Sequence, residues 1–290
     1  MTYALGAYLI WGIAPIYFVW VNFAESVEVL AYRIVWALPF LAVLATLGKQ
    51  WSALRSFGLR EYGMFAVCAV LIGANWLVFI YGVQQEKIAE TALGYFINPL
   101  ISIALGGLLL REPLSKLGLL SVGVAAMGLL LELVQLGELP WIALTLAGTF
   151  GLYGLMRKQM NVPAAAGLGV ETTMLLPLAF LYLATGGAFL AGDQLPERSA
   201  YQLFALACGG VVTVVPLILF VAAATRLPLV TLGFIQYLAP SISLVLAVWG
   251  FDETVDPWRW VSFGFVWLGI VLFSVDSVVR ARRASMSAAV

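Results

Sequence analysis

Histidine is missing altogether, cysteine occurs only twice, and charged side chains make up just 10% of the 290 residues. Without histidine there is no imidazole to ligate a metal or to titrate near neutral pH. Cys68 and Cys208 both fall inside apolar runs, so each reads as a small buried hydrophobe rather than half of a disulfide. No metal and no cofactor is expected. Soluble domains carry about 25% charged residues, so a chain this poor in charge cannot keep its surface in water.

What is present is apolar length. Hydrophobic residues make up 63% of the chain, and a bilayer core needs about 20 apolar residues per helix. Ten stretches meet or approach that length: 2–21, 27–47, 61–83, 89–110, 114–134, 140–156, 165–185, 199–222, 229–250 and 258–278. The sixth is short. A β-barrel would need short alternating segments instead. The first stretch has no basic leader and no clear cleavage site, so it reads as a retained span. The expected fold is an all-α integral membrane protein with ten transmembrane helices.

Counting basic residues by connection puts Lys49, Arg55, Arg60, Arg111, Lys116, Arg157, Lys158, Arg226, Arg280, Arg282 and Arg283 on one side. The other side receives Lys87, Arg198 and Arg259, and Arg33 is left inside a span. By the positive-inside rule both termini are cytoplasmic. The halves also repeat each other. An offset of 139 matches Lys87 with Arg226, Leu93-Gly94 with Leu232-Gly233, and Trp11-Gly12 with Phe150-Gly151. An offset of 141 then matches Pro99 with Pro240, Glu112 with Glu253, Ser121 with Ser262 and Gly128 with Gly269. Five spans per half is an odd number, so residues 1–136 and 137–290 are expected as two inverted five-helix repeats. Inverted repeats around a midplane site are the architecture of secondary transporters.

Several phrases carry a resemblance: "AYRIVWALPF" (31–40), "NWLVFIYGV" (75–83), "LGYFINPL" (93–100), "ETTMLLPLAFLYL" (171–183), "TVVPLILFVAAATRLPL" (213–229) and "LGFIQYLAPSISLVLAV" (232–248). In these the chain resembles the RarD branch of the EamA family, in the drug/metabolite transporter superfamily. One departure is "FDET" (251–254), where the family usually has Glu-Pro, as "REP" (111–113) keeps it in the first half. The resemblance implies helices 1–4 and 6–9 around a central cavity, and a homodimer contact through helices 5 and 10. It implies export of amino acids, metabolites or drug-like compounds across the bacterial inner membrane. Members are commonly labelled chloramphenicol-sensitivity or resistance permeases. No enzyme activity or cofactor comes with it.

Among polar residues, Arg33 lies about 9 Å into the second span at 1.5 Å per residue. Trp36 and Phe40 follow at i+3 and i+7, a stripe that suits a cavity wall. An offset of 138 places Glu171 over Arg33, at the mirror depth. About 10 Å of membrane normal would separate their backbones, a gap that a zwitterion or a direct ion pair would fill. The plainer reading of Arg33 is snorkelling to the interface. Glu171 is the proton-coupling candidate, while Glu28, Glu132 and Asp276 lie nearer span ends and are expected to be hydrated. Asn75, Trp76, Tyr81, Tyr95, Asn98, Thr213, Gln236 and Tyr237 complete the candidate substrate-binding set, with interhelical hydrogen bonding as the plainer role of the amides. Pro99 and Pro240, each removing a helical hydrogen bond, are candidate hinges.

The expected function is secondary active transport of a small polar or amphipathic solute by alternating access, in the export direction by family analogy. Proton-coupled uptake of an organic anion drawn by Arg33 is the rival within transport. A membrane enzyme on lipid-linked substrates is the rival from another class, and it lacks a nucleophile–base pair here. The expected partners are the small-molecule substrate and the lipid bilayer, not nucleic acid.

Overall fold

The computed structural model describes residues 1–84, 88–136, 140–187, 195–250 and 257–287. Every regular element among them is helical: α1 Thr2–Trp20, α2 Ser26–Leu47, α3 Trp51–Ser56, α4 Leu59–Gln84, α5 Ile88–Leu108, α6 Lys116–Leu136, α7 Trp141–Met160, α8 Ala164–Ala184, α9 Ala200–Ala224, α10 Leu229–Gln236, α11 Leu238–Gly250 and α12 Pro257–Ser287. Helices are what an apolar solvent permits, because lipid offers no partner to a free N–H or C=O. Lys87 and the "FDET" segment with Glu253 lie outside the described residues.

Among the described residues, eight apolar runs are long enough to cross a membrane: α1, α2, α4, α6, α8, α9, the α10–α11 run and α12. The apolar part of α5 is shorter, Leu93–Leu108. Helix α7 carries Thr145, Thr149, Arg157 and Lys158 along its length. These two pack on each other, and α7 also on α4, so protein rather than lipid covers much of their polar surface. This is an all-α integral-membrane fold.

Contacts between helices come in mirrored pairs. Helix α1 packs on α9 and α11 as α7 packs on α4 and α5, while α2 meets α8, α5 meets α10, and α6 meets α12. The correspondence reaches single residues. A Cβ on Gly12 would stand 2.7 Å from Ile242, and one on Gly151 would stand 2.6 Å from Ile101. Likewise Gly128 abuts the Ser262 carbonyl, and Gly269 the Ser121 carbonyl. Glycine allows backbones this close, and dispersion then does the packing.

Gly210 is the tightest case against α2. A Cβ there would meet the Trp36 carbonyl carbon and oxygen at 2.6 Å and the Ala37 nitrogen at 2.9 Å. Main-chain atoms cannot rotate away as a flexible side chain would. Gly210→Ala should therefore force α2 and α9 apart and cost about 1–3 kcal/mol. Thermal melting in detergent checks this, and an unchanged midpoint would count against so close an approach.

Candidate functional site

Arg33 is turned inward on α2, with 7% of its surface exposed. Its Nε donates to Thr213 Oγ1 of α9 at 2.7 Å, and Thr213 in turn donates to the Gly209 carbonyl. Gly209 makes room for the stem, since a Cβ there would lie 2.6 Å from Arg33 Cγ. The guanidinium carbon sits 5.5 Å from the Phe18 ring centroid and 5.2 Å from that of Trp76. Arginine over aromatic faces is held by the ring quadrupole as well as by dispersion. Its NH1–NH2 edge has no hydrogen-bond partner among the described residues.

The expected aromatic stripe divides at this point. Trp36 is 45% exposed and Phe40 41%, against the buried guanidinium. Three residues turn about 60° away on a 3.6-residue helix, enough to carry Trp36 round to the exposed flank.

Glu171 does not face Arg33. Its Oε1 accepts from Arg157 NH1 at 3.1 Å, and its Oε2 from Tyr153 OH at 3.1 Å. Both charged side chains are sealed in, at 0% and 1% exposure. The Arg157 guanidinium lies over Phe65 and against Gly167, where a Cβ would overlap it. Its Nε and NH2 have no partner among the described residues. Arg157 is thus a buried member of α7, not the loop charge that the basic-residue count assumed. Helix α7 runs on to Met160 and ends at Asn161, which takes a left-handed turn at φ 49°.

The other candidates are distributed. Asn75 Nδ2 donates to the Leu146 carbonyl and to Thr149 Oγ1, fastening α4 to α7. Tyr81 meets Trp141, and Tyr95 meets Phe79. Gln236 Oε1 accepts from Ser102, while Asn98 Oδ1 and Tyr237 OH are buried without a partner among the described residues. Pro99 lies within an unbroken α5, whereas the run bearing Pro240 is interrupted at Tyr237, between α10 and α11. Glu28 is fully buried, not hydrated, and takes two bonds from Arg198, Nε to Oε1 at 3.0 Å and NH2 to Oε2 at 2.6 Å. That carboxylate holds the Arg198 guanidinium above the usual arginine range. Asp276 is buried too, beside Arg280.

Glu112 was visible in the sequence only as a repeat marker. Its two oxygens accept the Leu229 and Val230 backbone N–H groups at 2.8 Å each, capping α10 from another part of the chain. Lys158 stands 3.5 Å away and also donates to the Ala224 and Leu227 carbonyls. A cavity of about 410 Å³ opens on the opposite face, between the α1–α2 turn and α4, with Phe18, Val29 and Phe79 in its wall.

Mirrored helix contacts around a buried intramembrane cation are features that membrane transporters share. The model of the EamA-like transporter family matches residues 1–134. The Protein RarD of Escherichia coli K12 is 42% identical over 284 residues, covering 97% of this chain and 96% of that protein. An uncharacterized transporter of Vibrio cholerae is 41% identical over 291 residues, 97% of this chain and 94% of the relative. A solved crystal structure shares the fold at a TM-score of 0.70 and 16% identity, over 93% of this chain and 95% of that one. The chain belongs to the RarD branch of the EamA family. It is a multi-pass inner-membrane secondary transporter of a small polar or amphipathic solute, and not an enzyme.

Proposed function

We propose that the chain moves its solute by alternating access of two inverted five-helix repeats, residues 1–136 and 137–290, with ten spans and both termini in the cytoplasm. The mirrored contacts of Gly12 with Ile242 and of Gly151 with Ile101 support the inverted pairing. Tags at the C-terminus and within residues 48–60 should both report cytoplasm; a periplasmic signal from either would overturn the ten-span arrangement. Export is the direction the family relationship favours.

The substrate lies in this reading against Arg33, with Trp76, Thr213, Asn98, Gln236 and Tyr237 deeper in the bundle and Trp36, Asn75, Tyr81 and Tyr95 around it. Pro99 and Pro240 act as hinges, and the break at Tyr237 supports mobility in the second of them. Glu171 carries proton coupling, since its protonation would release Arg157. A second copy docks through α6 and α12, whose Gly123 and Gly264 leave open space on the outer surface.

One observation carries the reading: a buried guanidinium with an unused edge, held by groups from three other helices. Arg33→Ala should abolish or reshape solute flux in proteoliposomes while leaving the melting temperature within a few degrees. Arg33→Lys should recover little, because an ammonium lacks the planar fork. Normal flux in Arg33→Ala would remove Arg33 from the pathway.

A further inference from the structure

We propose that Arg33 takes an organic monocarboxylate with an apolar body, admitted from the cavity beside the α1–α2 turn when the Phe18 and Phe79 rings part. The inference rests on the reading of Arg33 as part of the transport site, and it names the chemistry of the solute.

The guanidinium dictates the headgroup. Its Nε is spent on Thr213, and the Phe18 and Trp76 rings hold its carbon at 5.5 and 5.2 Å. What remains is the NH1–NH2 edge, the fork that matches a carboxylate with two parallel hydrogen bonds. Among the described residues no acidic side chain competes for that edge. Glu171 is engaged by Arg157 and Tyr153, and Glu28 by Arg198. A buried cation without a counter-ion is costly, and a bound carboxylate offsets that cost.

The cavity dictates the body. Its volume of about 410 Å³ falls within the range of small-molecule sites. Phe18, Val21, Val29, Phe79 and Ile80 make one side of its wall apolar, while Asn22, Glu25 and Ser26 line the α1–α2 turn. Val29 stands one turn from Arg33 on α2, at i and i+4, so the wall leads towards the guanidinium. Between cavity and cation the Phe18 and Phe79 rings meet at 5.6 Å, and Phe79 is backed by Tyr95 at 5.9 Å.

Two charges exclude close relatives of such an acid. Glu25 lines the cavity, about 12 Å along α2 from Arg33 by helical rise, so a dianion would bring a second carboxylate towards a like charge. An α-ammonium group would stand within a few Å of the guanidinium, so a plain acid fits better than an α-amino acid. The zwitterion expected from mirrored Arg33 and Glu171 loses its anionic partner, because Glu171 is already paired.

The test is binding to the full chain in lipid nanodiscs, read by calorimetry for affinity and stopped-flow fluorescence for association rate. The four probes are phenylacetate, its neutral amide, phenylalanine and 4-carboxyphenylacetate, whose second carboxylate lies at the far end of the ring. Phenylacetate should bind at least about tenfold more tightly than the amide, the worth of a charge-assisted pair, and more tightly than the other two. Arg33→Gln should erase the preference for acid over amide. Phe79→Ala should keep that preference and quicken association. Equal affinity for acid and amide in the wild type overturns the proposal without any variant, as does absence of phenylacetate binding. Retained acid preference in Arg33→Gln overturns it as well. Carboxylate binding without flux in proteoliposomes would uphold this inference and remove the site from the transport pathway. Flux of other solutes without carboxylate binding would do the reverse.

Discussion

Replacing Arg157 by leucine is expected to destabilise the protein by about 3–5 kcal/mol, the usual loss when one member of a buried ion pair is removed. Arg157 and Glu171 are sealed from solvent and bonded at 3.1 Å. Without the guanidinium, the Glu171 carboxylate keeps only the Tyr153 hydroxyl as a donor among the described residues. Such a site must either hold a bare charge or take up a proton, and both cost stability. The pair itself is a poor source of net stability, since Arg157 Nε and NH2 have no partner among the described residues. The double variant Arg157→Leu, Glu171→Leu should therefore recover most of the loss, because it removes both desolvated charges. Thermal melts of the wild type, both single variants and the double variant measure the coupling directly. A single variant that melts like the wild type would mean that water reaches the pair.

The same pair shows where the sequence was legible and where it was not. Helix positions follow from apolar length alone, so the run at 27–47 reappears as Ser26–Leu47 and that at 165–185 as Ala164–Ala184. The sixth run stopped short at 156 because Arg157 and Lys158 read as a loop, yet the helix buries Arg157 and continues to Met160. A charge is admitted when its partner is close, and that partner arrives fourteen residues later on α8. Repeat arithmetic set Glu171 over Arg33, but equivalence under a two-fold is not adjacency. The residues that touch Arg33 come from α1, α4 and α9, and only Trp76 and Thr213 among them had been singled out as polar or aromatic candidates. Phe18 gave no signal, as one ring among 17 phenylalanines. Glu28 failed for the opposite reason: a carboxylate near a span end looks hydrated until the loop carrying Arg198 folds over it.

Glu112→Ala is expected to loosen the start of α10, with a loss of roughly 2–4 kcal/mol for two charge-assisted hydrogen bonds and their desolvated donors. The first N–H groups of any helix lack internal partners. The preceding residue is Pro228, which makes no side-chain cap. Glu112 fills that role from the end of α5, where Arg111 adopts φ 54° and the Glu112 N–H closes on the Gly106 carbonyl at 3.0 Å. That left-handed turn aims the carboxylate, and its charge suits the positive end of a helix dipole. Glu112→Gln keeps one acceptor oxygen but no charge, so it should lose about half as much. Gly106→Ala approaches the same contact from behind, since a Cβ there would stand 2.7 Å from Glu112 Oε2 and 3.0 Å from the Val230 nitrogen. Hydrogen exchange at Leu229 and Val230 reads the result without depending on transport. Both amides should exchange faster in all three variants, in the order Ala, then Gln, with Gly106→Ala free to fall anywhere above wild type. Because α10 is only eight residues long and ends at Gln236, a freed start should also weaken the Ser102–Gln236 contact. Unchanged exchange at both amides in Glu112→Ala would show that water caps α10 as well as the carboxylate does.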